Sequence, residues 1–296
     1  GHDIGHVPFG HDGESILNEI TLDNQIGRFF HNMESVHFLQ NIEMQNLTLQ
    51  VVDGILCHNG EKHHRVIKPN LNKLSWGQHE KEMERIRLGK GPEDWDPLPK
   101  TMEGALIRMV DTISYISRDI LDAQNLGYVD FNDIPEEVKN ILGRNNRQII
   151  NSLINDLITS SLEQDYIGYS KEVHRALLKL YEFNYTKIYT IQEKIKHTPT
   201  IREAFYKLWD HYLNLLNNND QTSRIFTQHL LLNLDMIKTR YPKINSLENY
   251  IYSKSDPRII VRDFLAGSTD KYFWELVHEI DPQLNLESQR KIKRIY

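Results

Sequence analysis

Apolar residues recur along this chain at helical spacing, no segment alternates apolar with polar residues as a strand would, and no repeat of fixed period is present. Together these three observations predict an all-α fold. The 296 residues, 39% hydrophobic and 26% charged, suffice for a sizeable core in one large helical domain or two smaller ones. From Glu14 onward Ile16, Leu17 and Ile20 form the first apolar stripe, followed by Val36, Leu39 and Ile42, then Leu47, Val51 and Ile55. Residues 59–100 interrupt the pattern. Four prolines, four glycines and many Lys and Glu make this a long excursion, within which "GQHEKEMERIRLG" reads as a short exposed helix. Periodicity resumes at Met102 and runs as one helix to about Leu126, where a glycine supplies the stop. Amphipathic segments at 136–164, 171–194, 201–216, 222–240 and 258–278 follow, with "NNND" and "RYPKINS" as turns.

Gross composition excludes several classes. No run of eighteen apolar residues exists, so a membrane-spanning helix is not expected. A lone cysteine, Cys57, cannot form an internal disulfide and predicts a reducing, cytoplasmic setting. The net charge of −6 argues against a constitutive nucleic-acid binder, although a local basic patch stays open.

The opening stretch, "GHDIGHVPFGHDGE", is too polar for a core and too rich in titratable groups for an idle loop. A Gly-His start also has the look of a tag-cleavage remnant, a reading that accounts for at most two residues. Metal sites in hydrolases gather neutral imidazoles and ionised carboxylates from different elements. His2 and Asp3 supply one of each, and Asp111, set among apolar residues in "IRMVDTISY", is costly there unless it meets a cation. Tyr115 and Asp119 follow Asp111 at i+4 and i+8 on one helix face, where they could hold a polar substrate. The plainer reading makes Tyr115 a core aromatic and pairs Asp119 with Arg118. His11 and Glu14, three apart at a helix start, form an imidazole–carboxylate pair of the kind that moves protons, with His6 within reach. Arg258, Arg262 and Lys271 are candidate phosphate contacts against a plainer reading as solvated charges. The excursion histidines His58, His63 and His64, near Cys57 and Glu61, lack the spacing of a structural zinc site and read as surface residues.

The stretch resembles the dGTP triphosphohydrolase family of the HD-domain phosphohydrolases, whose motif reads HDxGHxPFGHxGE, and here the register runs unbroken through Glu14. Four further segments match in the same order. "FFHNMESVHFLQNIE" resembles the family's F-x-x-N segment, "NLTLQVVDGILCHNGE" its L-T-L-x-x-x-x-G-I-L stretch, "DTISYISRDILDA" its D-x-I-A-Y helix, and "VRDFLAGSTDKYFWEL" its D-x-I-A-G-M-T-D signature.

The resemblance implies an HD-domain helical core over residues 1–130, with additional C-terminal helices over 131–296. It implies a divalent metal (Mn, Mg, Fe, Co or Ni) held by His2, Asp3 and Asp111, and His11 with Glu14 as catalytic histidine and acid. Tyr115 and Asp119 match deoxyribose-pocket residues, and His6 a histidine near the phosphates. The implied reaction cleaves a dNTP to deoxynucleoside and tripolyphosphate. Implied partners are the dNTP substrate, an activating nucleotide at a second site and further copies of the chain as a homo-oligomer. A fourth ligand, the first histidine of the family's set, is expected in a segment preceding Gly1. Thr112 and Ser268 depart from the family's Asp and Met, which leaves base preference open. Alternative readings are another HD-domain nucleotide phosphohydrolase, such as a 5′-nucleotidase or a phosphodiesterase, and a nucleotide sensor whose site has decayed.

Overall fold

The structure, a computed structural model, describes residues 1–284 apart from 60, 61, 91, 93, 94, 191–196, 245 and 254, with backbone only at 252 and 253. Helices dominate, as the periodicity predicts. The chain divides into two compact units. The first comprises Gly1–Leu47, His79–Glu93 and His197–Tyr296, and the second Thr48–Gln78 and Asp94–Lys196. Neither is a single stretch of chain, and residue 130 lies inside the second.

In the first unit, helix α1 (Gly10–Asp23) and helix α2 (His31–His37) carry the opening motif and its continuation. Ile16, Leu17 and Ile20 of α1 are buried with Phe205, Leu208 and Trp209 of the helix Thr198–Asn217, and with Phe264 and Phe273 of the two helices Pro257–Ala266 and Asp270–Ile280. Burying side chains of this size contributes about 1.5–3 kcal/mol each, so this core fixes the motif to the C-terminal helices. The sequence reads 258–278 as one segment. The break after Ala266 comes where the Thr269 hydroxyl accepts from the Tyr272 N–H and caps a fresh helix.

The second unit is built on helix Met102–Ile116, whose Ala105, Met109 and Ile113 pack with Leu153 and Leu157 of Asn146–Ser161 and with Leu177 and Leu180 of Lys171–Asn184. The 102–126 reading is corrected here: the helix stops at Ile116 and a second, Arg118–Asn125, begins after Ser117. Ser117 donates to Asn146 Oδ1 at 2.6 Å, and the Ile116 carbonyl is taken by Asn184 Nδ2 at 2.6 Å. The Asn184 side chain thus satisfies the backbone carbonyl at the break, and the Ser117 hydroxyl is tied to Asn146. The 136–164 segment also divides, at Gly143, whose φ of 113° is open to glycine and strained for other residues. One departure from the all-helical expectation is a two-residue antiparallel pair, Val66–Ile67 with Ile167–Gly168, too short to leave an alternating pattern. The excursion helix forms as Trp76–Arg87. Among the described residues no helix is long and apolar enough to cross a membrane.

Candidate active site

Close backbone approaches shape the histidine-rich loop. A Cβ on Gly5 would stand 2.2 Å from the Ser35 nitrogen, so the loop lies directly on α2. Ser35 bonds the same loop twice, its Oγ donating to the His2 carbonyl and accepting from the Gly5 N–H at 3.0 Å. On the other side a Cβ on Gly13 would meet the Pro8 carbonyl at 1.8 Å, so the "PFG" turn folds back onto the first turn of α1. Phe9 caps that helix from the left-handed region, its φ of 68° held by a buried ring and by an N–H donated to Asp270 Oδ1 at 3.0 Å. Asn18 accepts from the Phe29 N–H at 2.9 Å and brings the chain into α2 with His31 as its first residue.

The result is three imidazoles around one carboxylate. Glu14 Oε1 accepts from the His31 N–H at 2.7 Å, and His31 Nδ1 lies 3.0 Å from both Glu14 oxygens. His11 Nδ1 stands 3.4 Å from Glu14 Oε2. His6 stacks on His31 with ring centroids 4.7 Å apart, and His11 is 5.5 Å from His6. Burial works to raise the Glu14 carboxyl, but the His31 charge and hydrogen bonds from His11 and His31 outweigh it and hold the group ionised well below its usual range. Burial likewise works to lower His31, and the Glu14 charge overcomes it, leaving His31 raised. His6 is lowered, first by burial and then by His31. The His31 side chain is only 4% exposed whereas His11 is 63% exposed, so the ligand-accessible end of the cluster is His11. Three imidazoles of different exposure around a fixed anion can hold and pass a proton.

His2 and Asp3 sit at the other end of the loop, Nε2 to Oδ2 at 2.7 Å and about half exposed. One imidazole nitrogen and one carboxylate oxygen converging at an accessible point suit a divalent cation with nitrogen and oxygen ligands. Asp111, Tyr115 and Asp119 belong to the second unit. Burial raises the Tyr115 phenol, with the Asp111 and Asp119 charges acting in the same direction. Arg118 pairs with Asp122 at 3.1 Å, while Asp119 Oδ2 accepts from the Tyr189 hydroxyl at 2.6 Å.

This chain is 30% identical over 226 residues to the deoxyguanosinetriphosphate triphosphohydrolase-like protein of Clostridium tetani, covering 73% of this chain and 55% of that one. The protein of the same name from Desulfatibacillum aliphaticivorans is 30% identical over 221 residues, covering 72% and 55%. That of Caldanaerobacter subterraneus is 27% identical over 280 residues, covering 92% and 62%. The chain belongs to the deoxyguanosinetriphosphate triphosphohydrolase-like family. It spans a little over half the length of the curated relatives it matches. Compared with family models, it matches none.

Within this triphosphohydrolase-like chain the structure gathers His6, His11 and Glu14 into one cluster and places Asp111, Tyr115 and Asp119 along two successive helices of the second unit. Arg262 joins neither. It is buried in the first unit, Nε and Nη2 on Asp263 Oδ1 at 2.9 and 2.6 Å, with Nη2 3.4 Å from Glu34. The solvated-charge reading fails for Arg262. Arg258 and Lys271 are paired with Asp256 and Glu275. His58 is 1% exposed with Nδ1 2.6 Å from the Ile55 carbonyl oxygen, which overturns its surface reading. His63 packs edge-on against Tyr181, ring centroids 4.3 Å apart, and Glu61 lies outside the described residues. The sequence reading missed His31, Ser35 and Tyr189. His31 had a signal: it opens "HNMESV", a helical segment that is polar at most positions yet buried throughout.

Proposed function

We propose that this chain carries the catalytic region of a metal-dependent dNTP triphosphohydrolase that splits a dNTP into a deoxynucleoside and inorganic tripolyphosphate. The observation that carries the reading is the ionised Glu14 bracketed by His31 and His11, one turn of loop after the His2–Asp3 pair. The ligands assigned by the motif match are His2, Asp3 and Asp111, a nitrogen and oxygen set consistent with the donors described above. A bound divalent metal would supply charge neutralisation at the phosphate and a water of lowered pKa.

The rest is the work of side chains. His11, exposed at the open end of the cluster and oriented by Glu14, donates a proton to the departing 5′ oxygen of the sugar. Glu14 stabilises the imidazolium form of His11 before transfer, and buried His31 holds Glu14 in place from behind. His6 is kept neutral and offers a hydrogen bond to a phosphate oxygen. Tyr115 packs against the deoxyribose and Asp119 accepts from its 3′-hydroxyl. The family names and the motif match support this substrate class.

The test is incubation of the full-length protein with each dNTP, singly and in mixture, in Mn, Mg, Co or Fe and again after chelation. Anion-exchange detection should find tripolyphosphate that disappears with the metal. No tripolyphosphate under any condition refutes the reading, and orthophosphate from a nucleoside monophosphate would replace it with a nucleotidase.

A further inference from the structure

We infer that Tyr189 is a positioning residue for substrate recognition, its hydroxyl setting the Asp119 carboxylate in the orientation that receives the sugar 3′-hydroxyl. The inference rests on the reading above that Asp119 faces the deoxyribose.

The contact is a short one, Tyr189 Oη donating to Asp119 Oδ2 at 2.6 Å, within the range for an O–H bonded to an ionised acceptor. Burial, followed by the Asp119 charge and hydrogen bond, holds the phenol far above its ordinary value, so Tyr189 is a permanent donor. A carboxylate bonded on one oxygen by a fixed donor is no longer free to rotate about its Cβ–Cγ bond. Its remaining lone pairs then point in set directions, and a ligand hydroxyl forms its bond without first ordering the acceptor.

Local backbone structure supports a purpose for the contact beyond packing. After Asn184 the helix Lys171–Asn184 widens into a π-turn, Tyr185–Tyr189, a geometry that is rare and frequent at functional sites. Tyr189 is the last residue of this turn. Asn184, fully buried at the junction, donates to the Ile116 carbonyl at the helix break that precedes Asp119. Both partners of the Tyr189–Asp119 bond are therefore referenced to one point of the backbone. Arg118, the cation adjacent to Asp119 in sequence, is engaged by Asp122 instead.

Tyr189→Phe keeps the ring and deletes the hydroxyl. The measurement is calorimetric affinity and, where turnover occurs, KM and kcat, for dGTP and its 3′-deoxy analogue ddGTP, in full-length wild type, Y189F, D119N and the double variant. Wild type should prefer dGTP, and Y189F should weaken dGTP roughly tenfold in affinity or KM with kcat within about twofold, leaving ddGTP unchanged. Y189F and D119N should be non-additive on dGTP. An equal loss on both nucleotides, no loss on dGTP, or a wild type indifferent to the 3′-hydroxyl overturns the inference. Because binding is read separately from hydrolysis, a protein that binds dGTP selectively without releasing tripolyphosphate refutes the proposed reaction and leaves this contact standing.

Discussion

Glu34→Gln should change the pH dependence of stability in a direction and by an amount that the structure sets. Glu34 lies on α2 three residues after His31, 3% exposed, with Arg262 Nη2 at 3.4 Å and Oε1 without a hydrogen-bond partner. Burial is the largest influence on its carboxyl and raises it. Arg262 pulls it down and Asp263 pushes it up again, with a net rise from 4.5 to about 7. A carboxyl that binds its proton more tightly in the folded state stabilises the fold fully below pH 4.5, and that contribution is lost as pH rises through 7. At about 1.4 kcal/mol per pH unit the interval corresponds to about 3 kcal/mol, of which about 2–3 kcal/mol falls between pH 5 and 8. Asp263 shifts the opposite way. Burial would raise it, but Arg262 and His37 hold it below 3.8, so its contribution is lost only as pH falls below that value, outside the window. The buried groups facing Glu34 are thus Arg262, Asp263 and, through Asp263 Oδ2 at 3.0 Å, His37. Glutamine preserves the shape and a donor toward Asp263 while it removes the titration. Urea denaturation of both proteins at pH 5, 6.5 and 8 should show the variant gaining about 2–3 kcal/mol on wild type across the series. Groups that do not face Glu34 contribute equally to both proteins and cancel in the difference. Parallel stability curves for the two proteins would refute the reasoning.

Two further outcomes are expected. His31→Gln removes the imidazole that holds Glu14 and should reduce kcat on a dNTP roughly a hundredfold while bound metal, measured by elemental analysis, stays at the wild-type level; a loss below threefold would show that His31 does not position Glu14 for the reaction. Gly5→Ala places a methyl 2.2 Å from the Ser35 nitrogen and 2.7 Å from the His31 carbonyl oxygen, backbone atoms that cannot turn aside. It should cost roughly 1–3 kcal/mol in urea denaturation, and unchanged stability would show that the loop does not lie on α2 as described.

Part of the histidine–carboxylate cluster was legible in the opening fourteen residues, because there His6, His11 and Glu14 follow one another in sequence. The spacing of His11 and Glu14 puts them on neighbouring turns of one helix, and a helix face is a local property, set by 3.6 residues per turn. Caps and helix breaks were not read: the 258–278 segment runs unbroken through Thr269, whose hydroxyl accepts from the Tyr272 N–H and starts a fresh helix. Ser117 lies in a run whose apolar period continues unbroken, and the interruption there depends on Asn146 and Asn184, which are distant in sequence.

By itself the sequence determined that the chain is helical, that His2 with Asp3 and His11 with Glu14 stand as two pairs on one loop and helix start, and which family they match. Only the tertiary structure decided what completes and surrounds them. It selected His31 as the partner of Glu14 across 17 residues, buried Arg262 against Asp263 and Glu34, and gave Asp119 to Tyr189 across 70 residues in place of neighbouring Arg118. The reason is physical. Periodicity and capping act within about one helical turn, whereas the partner of a half-buried charge is whichever group the packed core delivers to it, and that depends on every helix in the unit at once.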